Sequence, residues 1–215
     1  MSDFTGFGLI AIVAGSALIG AGRKLLERRR ARRELRTKPL LAASSPEGEV
    51  VRVTGIVQLV DDESVTAPLS GRMCVVARSR VKAGGKLTSQ AHRPEESLAI
   101  VPFIIDRGER GRVLVEGNHA LLDLAPLHLK RKQIELDRRA QFCALHGLSA
   151  KEVSRAFFEE TIVEPGQRVS VAGLMMKDLP VEPAPEERGF RDSAAPNLRL
   201  AGNVEHPLVI GAPVD

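Results

Sequence analysis

Nineteen consecutive residues, 4–22, carry no charge and run directly into the most basic stretch of the chain. As a helix rising about 1.5 Å per residue, such a run spans roughly 28 Å, close to the hydrocarbon thickness of a bilayer. Only Thr5 and Ser16 are polar, although five glycines (Gly6, Gly8, Gly15, Gly20 and Gly22) dilute the hydrophobicity. The tail before it holds Asp3 and neither Lys nor Arg, and the positive charge follows the apolar run. That order is the reverse of a cleaved signal peptide. The pattern predicts a signal anchor: a tail and transmembrane helix over 1–22, crossing a cell (inner) membrane once, N-terminus out and remaining mass cytoplasmic. Ala11/Gly15, Ser16/Gly20 and Ala17/Ala21 lie at the spacing of helix-dimer contacts, which is common in such helices.

The basic stretch accounts for the whole basicity of the chain. Between Arg23 and Lys38, nine Lys and Arg residues oppose Glu27 and Glu34, a local net charge of +7. With Asp3 at −1 and the full chain at +4, residues 39–215 are left at −2. Residues 23–47 are therefore assigned to a basic juxtamembrane helix and a linker. The i,i+4 pairs Arg30–Glu34 and Glu34–Lys38 support the helix, and Pro39 ends it. The expected partner is the bilayer itself. Arg23, Lys24, Arg28, Arg29, Arg30, Arg32 and Arg33 would be drawn to anionic headgroups by about 1 kcal/mol each. The plainer reading is a topology signal alone. An oligonucleotide-binding barrel, with nucleic acid as partner, is disfavoured, because a slightly acidic domain without Trp or Tyr lacks both the phosphate grip and the stacking platforms.

Beyond the linker the pattern changes to alternation. Val51, Val53, Val57 and Leu59 fall on one face of a strand, with Arg52, Thr54 and Gln58 on the other. Residues 73–81 read as a second strand and 82–97 as a polar loop. Residues 99–106 and 112–115 read as a hairpin about the 107–111 turn, and Pro102 argues for an edge. Residues 121–129 read as extended. A helix is expected over 133–146, capped by Gly147, and a second begins at the capping box Ser149-x-x-Glu152 with an apolar stripe of Val153, Ala156 and Phe157. Glu164-Pro165-Gly166-Gln167 is a type II turn signal before a strand at 168–174. Residues 180–196 read as loop, and short strands are expected at 198–201 and 207–210. The fold class this implies is α+β: a transmembrane helix, then a β-rich barrel- or sandwich-like domain over 48–210 with two inserted helices, and a tail at 211–215.

Four segments, in order, resemble one family. Ala67-Pro68-Leu69-Ser70-Gly71-Arg72-Met73-Cys74-Val75 is similar to the small-Pro-apolar-Ser-Gly-Arg-x-Cys run of the GIDE, or "beside a membrane", domain. Residues 48–57 resemble its opening strand, 103–115 its hairpin, and 159–173 its acidic, apolar, Pro-Gly, strand signature. That family occurs in membrane-anchored mitochondrial RING ubiquitin ligases and in many bacterial proteins behind a transmembrane helix. The resemblance implies a membrane-side binding or scaffold module, with a ubiquitin-transferase label as the alternative. A RING holds its two zinc ions with paired Cys and His ligands. This chain has two Cys and five His, with no C-x-x-C.

No catalytic, cofactor or metal set emerges. Ser70-Gly71-Arg72 is the one polar motif singled out for ligand binding, a candidate nucleophile beside a candidate anion binder. It lacks the elbow and base of a hydrolase, and the plainer reading is a turn into a strand. Cys74 and Cys143 read as small core residues. His119, His128 and His146 lack ligand spacing, Gly84-Gly85-Lys86 lacks the rest of a phosphate loop, and Asp61-Asp62-Glu63 reads as a solvated turn. The function expected is a non-catalytic module recruiting an unidentified protein or small ligand.

Overall fold

The computed structural model describes residues 26, 28–42, 45–82, 95–148, 156–177 and 198–214. The alternation of the first predicted strand is realised in β1 (Val50–Leu59). Val51, Val53 and Val57 are buried in the main core. β1 pairs antiparallel with β6 (Phe103–Asp106) through residues 56–59 and with β11 (Arg168–Lys177) through residues 50–56. β6 continues into β7 (Arg112–Gly117), which lies parallel to β12 (Leu198–Gly202), and β12 returns to the far end of β11. The ring β1-β6-β7-β12-β11 closes on itself. Numbered within the ring alone, the order is first, second, third, fifth, fourth, with one parallel pair. This is the Greek-key arrangement of the oligonucleotide/oligosaccharide-binding barrel. Closure removes the sheet edges and seals Phe103, Ile105, Val113, Val115, Val169, Val171 and Leu200 inside. Gly55 permits the tight β1–β6 crossing, since a Cβ there would collide with the carbonyl of Asp106.

Two long connections carry the rest. Between β1 and β6 lie β2 (Val65–Thr66), β3 (Met73–Cys74), β4 (Val76–Lys82) and β5 (Glu95–Ile100). Between β7 and β11 lie β8 (Ala120–Asp123), β9 (Leu127–Leu129), a helix and β10 (Phe157–Val163). The two connections meet in a second sheet, ordered β5-β4-β10-β9. The helix, Leu136–Leu145, packs Phe142 and Cys143 against Leu69, Val81, Ile134 and Phe158 on one face of that sheet. β13 (Leu208–Gly211) pairs with β11 and β8 outside the ring.

The α+β assignment is overturned: the described residues are mostly β. They hold two helices, of which α1 (residues 28–37) belongs to the basic stretch and α2 (Leu136–Leu145) is the one inserted in the domain. The capping box at Ser149 lies outside the described residues. Phe157, assigned to a helical stripe, opens β10 instead, because seven residues of β10 pair in register with β4 and long-range pairing overrides a short helical period. Pro102 lies in no strand. It marks the crossing from β5 in the second sheet to β6 in the barrel.

The membrane assignment is also corrected. Among the described residues no helix is long and apolar enough to cross a membrane. The 4–22 run lies outside them, so neither a single-pass protein nor an inner-membrane location with the N-terminus out is supported. What is described of the basic stretch docks on protein. Ala31 and Leu35 of the basic helix are buried with Ala172 of the barrel strand β11 and Val209 of β13. Arg28 donates to the carbonyl of Leu124 at 2.9 Å, and Arg32 pairs with Asp123 at 3.0 Å. The helix ends as its sequence implies, with Lys38 paired to Glu34 at 3.3 Å before Pro39.

Candidate functional site

The Ser70-Gly71-Arg72 segment is a turn held from beneath by a carboxylate. The Gly71 amide donates to the Ala67 carbonyl at 2.9 Å, and the Ala67 amide to the Arg72 carbonyl at 2.8 Å. Gly71 has φ +73°, a left-handed conformation that favours glycine. A Cβ there would also sit 3.0 Å from the Arg138 guanidinium. Glu160 of β10 is fully buried below the turn. Its Oε1 accepts the Leu69 amide at 2.9 Å and the Ser79 hydroxyl at 2.8 Å, and its Oε2 accepts the Ser70 amide at 3.0 Å. A buried charge is tolerated where charge-assisted donors replace its water. The three donors come from the loop and from β4, so Glu160 fastens both to β10.

Nothing in this arrangement activates a nucleophile. Ser70 Oγ accepts the Arg72 amide at a long 3.5 Å, and Arg72 is paired across the loop with Glu164 at 2.9 Å. The Cys74 thiol is pushed up to about 11, chiefly by burial and then by Glu160 and Glu164. Burial also pushes up the Cys143 thiol. Both stay protonated where a reactive cysteine would be a thiolate. Among the described residues no His, Cys, Asp and Glu cluster can hold a metal ion.

A second site has a different character. After β9, Lys130–Gln133 forms a tight turn in which the Lys130 amide donates to Gln133 Oε1 at 2.8 Å and the Gln133 amide returns to the Lys130 carbonyl at 2.8 Å. Arg139 of α2 reaches back and donates to the Arg131 carbonyl at 2.9 Å. The result is an open concavity of about 490 Å³ lined by Lys130, Arg131, Lys132 and Arg139. Lys130, Arg131 and Lys132 are exposed, and Arg139 is half-buried. None of the four forms an ion pair among the described residues, so the lining has a single sign of charge. A net charge of −2 averaged over 39–215 hides this local cluster. The run Lys130-Arg131-Lys132 was the available signal.

Another concavity, about 580 Å³, is lined by Leu26, Arg29, Arg30, Arg33, Glu34, Thr37 and Lys38. All seven belong to α1 or the residues at its ends, so this is the outer surface of one helix, and it includes the Glu34–Lys38 pair. Arg23 and Lys24 lie outside the described residues. Elsewhere, Arg52 of β1 is only 6% exposed, and among the described residues its Nε and Nη1 have no hydrogen-bond partner.

No family model, no curated protein and no solved structure matches the chain.

Proposed function

We propose that the chain is a non-catalytic binding module whose ligand is a polyanion, taken up by the concavity between the β9 turn and α2. One observation carries this reading: Lys130, Arg131, Lys132 and Arg139 line one open surface with no carboxylate among them. Like charges held together repel, and an anion placed among them is attracted by all. Lys and Arg supply the charge-assisted donors that phosphate or sulfate oxygens accept. The Gln133 and Arg139 hydrogen bonds fix the turn to the helix, so the cations are positioned before a ligand arrives. The non-catalytic half of the reading is supported by the candidate nucleophiles. Ser70 faces an amide rather than a base, and the thiols of Cys74 and Cys143 are held protonated.

Immobilised inorganic polyphosphate tests this directly. The wild-type chain is expected to be retained at low salt and released as salt rises, and the Lys130→Glu/Arg131→Glu/Lys132→Glu variant to flow through. Equal retention of the two would sink the reading. Labelling of Ser70 by a fluorophosphonate, or of Cys74 by iodoacetamide near neutral pH, would overturn its non-catalytic half.

A further inference from the structure

The second sheet does not close, so it has two edges, β5 and β9. β9 pairs with β10 on one side. On its other side, among the described residues, the backbone of Leu127, His128 and Leu129 makes no hydrogen bond. Such an edge keeps a row of N–H and C=O groups unpaired and is a template for a further strand. Leu127 and Leu129 are half-buried on the face that carries α2, and His128 is exposed on the opposite face. The chain stays extended through Lys130, at φ −71° and ψ 143°, so the edge runs without a break into the first cation of the concavity. Arg131 and Lys132 follow, and the Arg131 carbonyl holds Arg139 of α2 beside them.

We infer that this edge takes up an acidic peptide as an added strand, its backbone paired with β9 and its carboxylates on Lys130, Arg131, Lys132 and Arg139. The inference rests on the polyanion reading above and names its ligand. Among polyanions a peptide alone carries the alternating donors and acceptors that an edge strand pairs with. Polyphosphate or a sulfated sugar would use the cations and leave β9 idle. Main-chain pairing supplies affinity, and the cations select the partner. Leu127 and Leu129 call for apolar side chains beside them, so the peptide is apolar where it pairs and acidic beyond. Lys at a strand edge also keeps like edges apart. It repels the β9 edge of a second copy by like charge and attracts an acidic strand. The opposite edge of a second copy does not supply that strand, because Glu96 of β5 is already paired with Arg78 and Arg80.

The test is fluorescence anisotropy of a labelled peptide of about eight residues, half alternating Val and Thr and half Glu. Its reversed sequence is run beside it, because an edge accepts a strand in either direction. The full chain is expected to bind one of the two, and polyphosphate to displace it. In a strand, alternate amides point to the same side. N-methylating one alternate set in the Val-Thr half is therefore expected to weaken binding about tenfold, and the other set to leave it unchanged, with the charge the same in both. Hydrogen exchange of the 127–129 amides should slow with the peptide and not with polyphosphate. If both methylated sets bind as the parent does, or exchange at 127–129 is unmoved, the strand inference falls and the polyanion reading stands. The same holds if the chain binds polyphosphate and neither peptide. Self-association that the peptide reverses would make a second copy the occupant and overturn the inference. If the chain binds neither polyphosphate nor peptide, both readings fall.

Discussion

Two basic regions of this chain have opposite fates. Residues 23–38 have the higher density of cations in sequence, and three of the seven cations in their described part are turned to structural use, the other four lying on the outer side of the helix. Arg28 holds the Leu124 carbonyl, Arg32 holds Asp123, Lys38 holds Glu34, and Leu35 anchors the helix to the barrel. The cluster at Lys130, Arg131, Lys132 and Arg139 is sparser in sequence and assembled from two elements, yet it lacks any carboxylate partner among the described residues. Charge counted along a chain measures composition. Charge available to a ligand is what remains after the fold has paired the rest.

The contrast can be broken most severely by moving the charge. Reversing Lys130, Arg131 and Lys132 to Glu is expected to reduce polyphosphate affinity about a hundredfold, and reversing Arg29, Arg30 and Arg33 only about threefold, read by anisotropy competition. Equal losses would erase the distinction. The structural role of α1 is sharpened by Leu35→Ala. Its side chain is 1% exposed against Ala172 and Val209, so urea unfolding should lose about 2–3 kcal/mol while polyphosphate binding persists.

Two buried charges extend the comparison. Glu160 is satisfied by three donors, and Glu160→Gln, which replaces a charged acceptor with an amide, is expected to cost about 2 kcal/mol by urea unfolding. Arg52 is buried with Nε and Nη1 lacking hydrogen-bond partners among the described residues, so Arg52→Met is expected to stabilise by about 1 kcal/mol in the same assay. A loss on Arg52→Met would mean that its charge has a use. The smallest effect is alkaline. The folded Cys74 thiol, raised to about 11 from an ordinary 9.0, keeps its proton where the unfolded thiol loses it. Its contribution to stability is therefore full below about pH 9 and declines as pH rises toward 11. Cys74→Ala should flatten that decline in a series of thermal midpoints.

Local signals in the sequence fared well wherever local chemistry decides. The β1 alternation, the 107–111 hairpin turn and the Pro165-Gly166 turn all formed, with Gly108, Gly111 and Gly166 at positive φ. Gly147 likewise takes φ +63° after α2. What failed depends on distant partners. The period of Val153, Ala156 and Phe157 favours a helix, and only the β4 pairing, about 80 residues away in sequence, makes Phe157 a strand residue. Barrel closure through β1 and β11 is equally non-local. In sequence Glu160 is one of a run of acidic residues. Its position between Phe158 and Ile162 on an apolar face was the clue to a buried carboxylate. The Ser70-Gly71-Arg72 motif was legible as a turn, but its support came from a residue 90 positions away.

The central claim is that the cluster at Lys130, Arg131, Lys132 and Arg139 is the region that grips phosphates. The salt dependence of polyphosphate binding tests it most directly. Four phosphate contacts predict a log–log slope of about −3, falling toward zero when Lys130, Arg131 and Lys132 are replaced by Gln. A slope unchanged by those replacements would place the phosphate grip elsewhere and contradict the account.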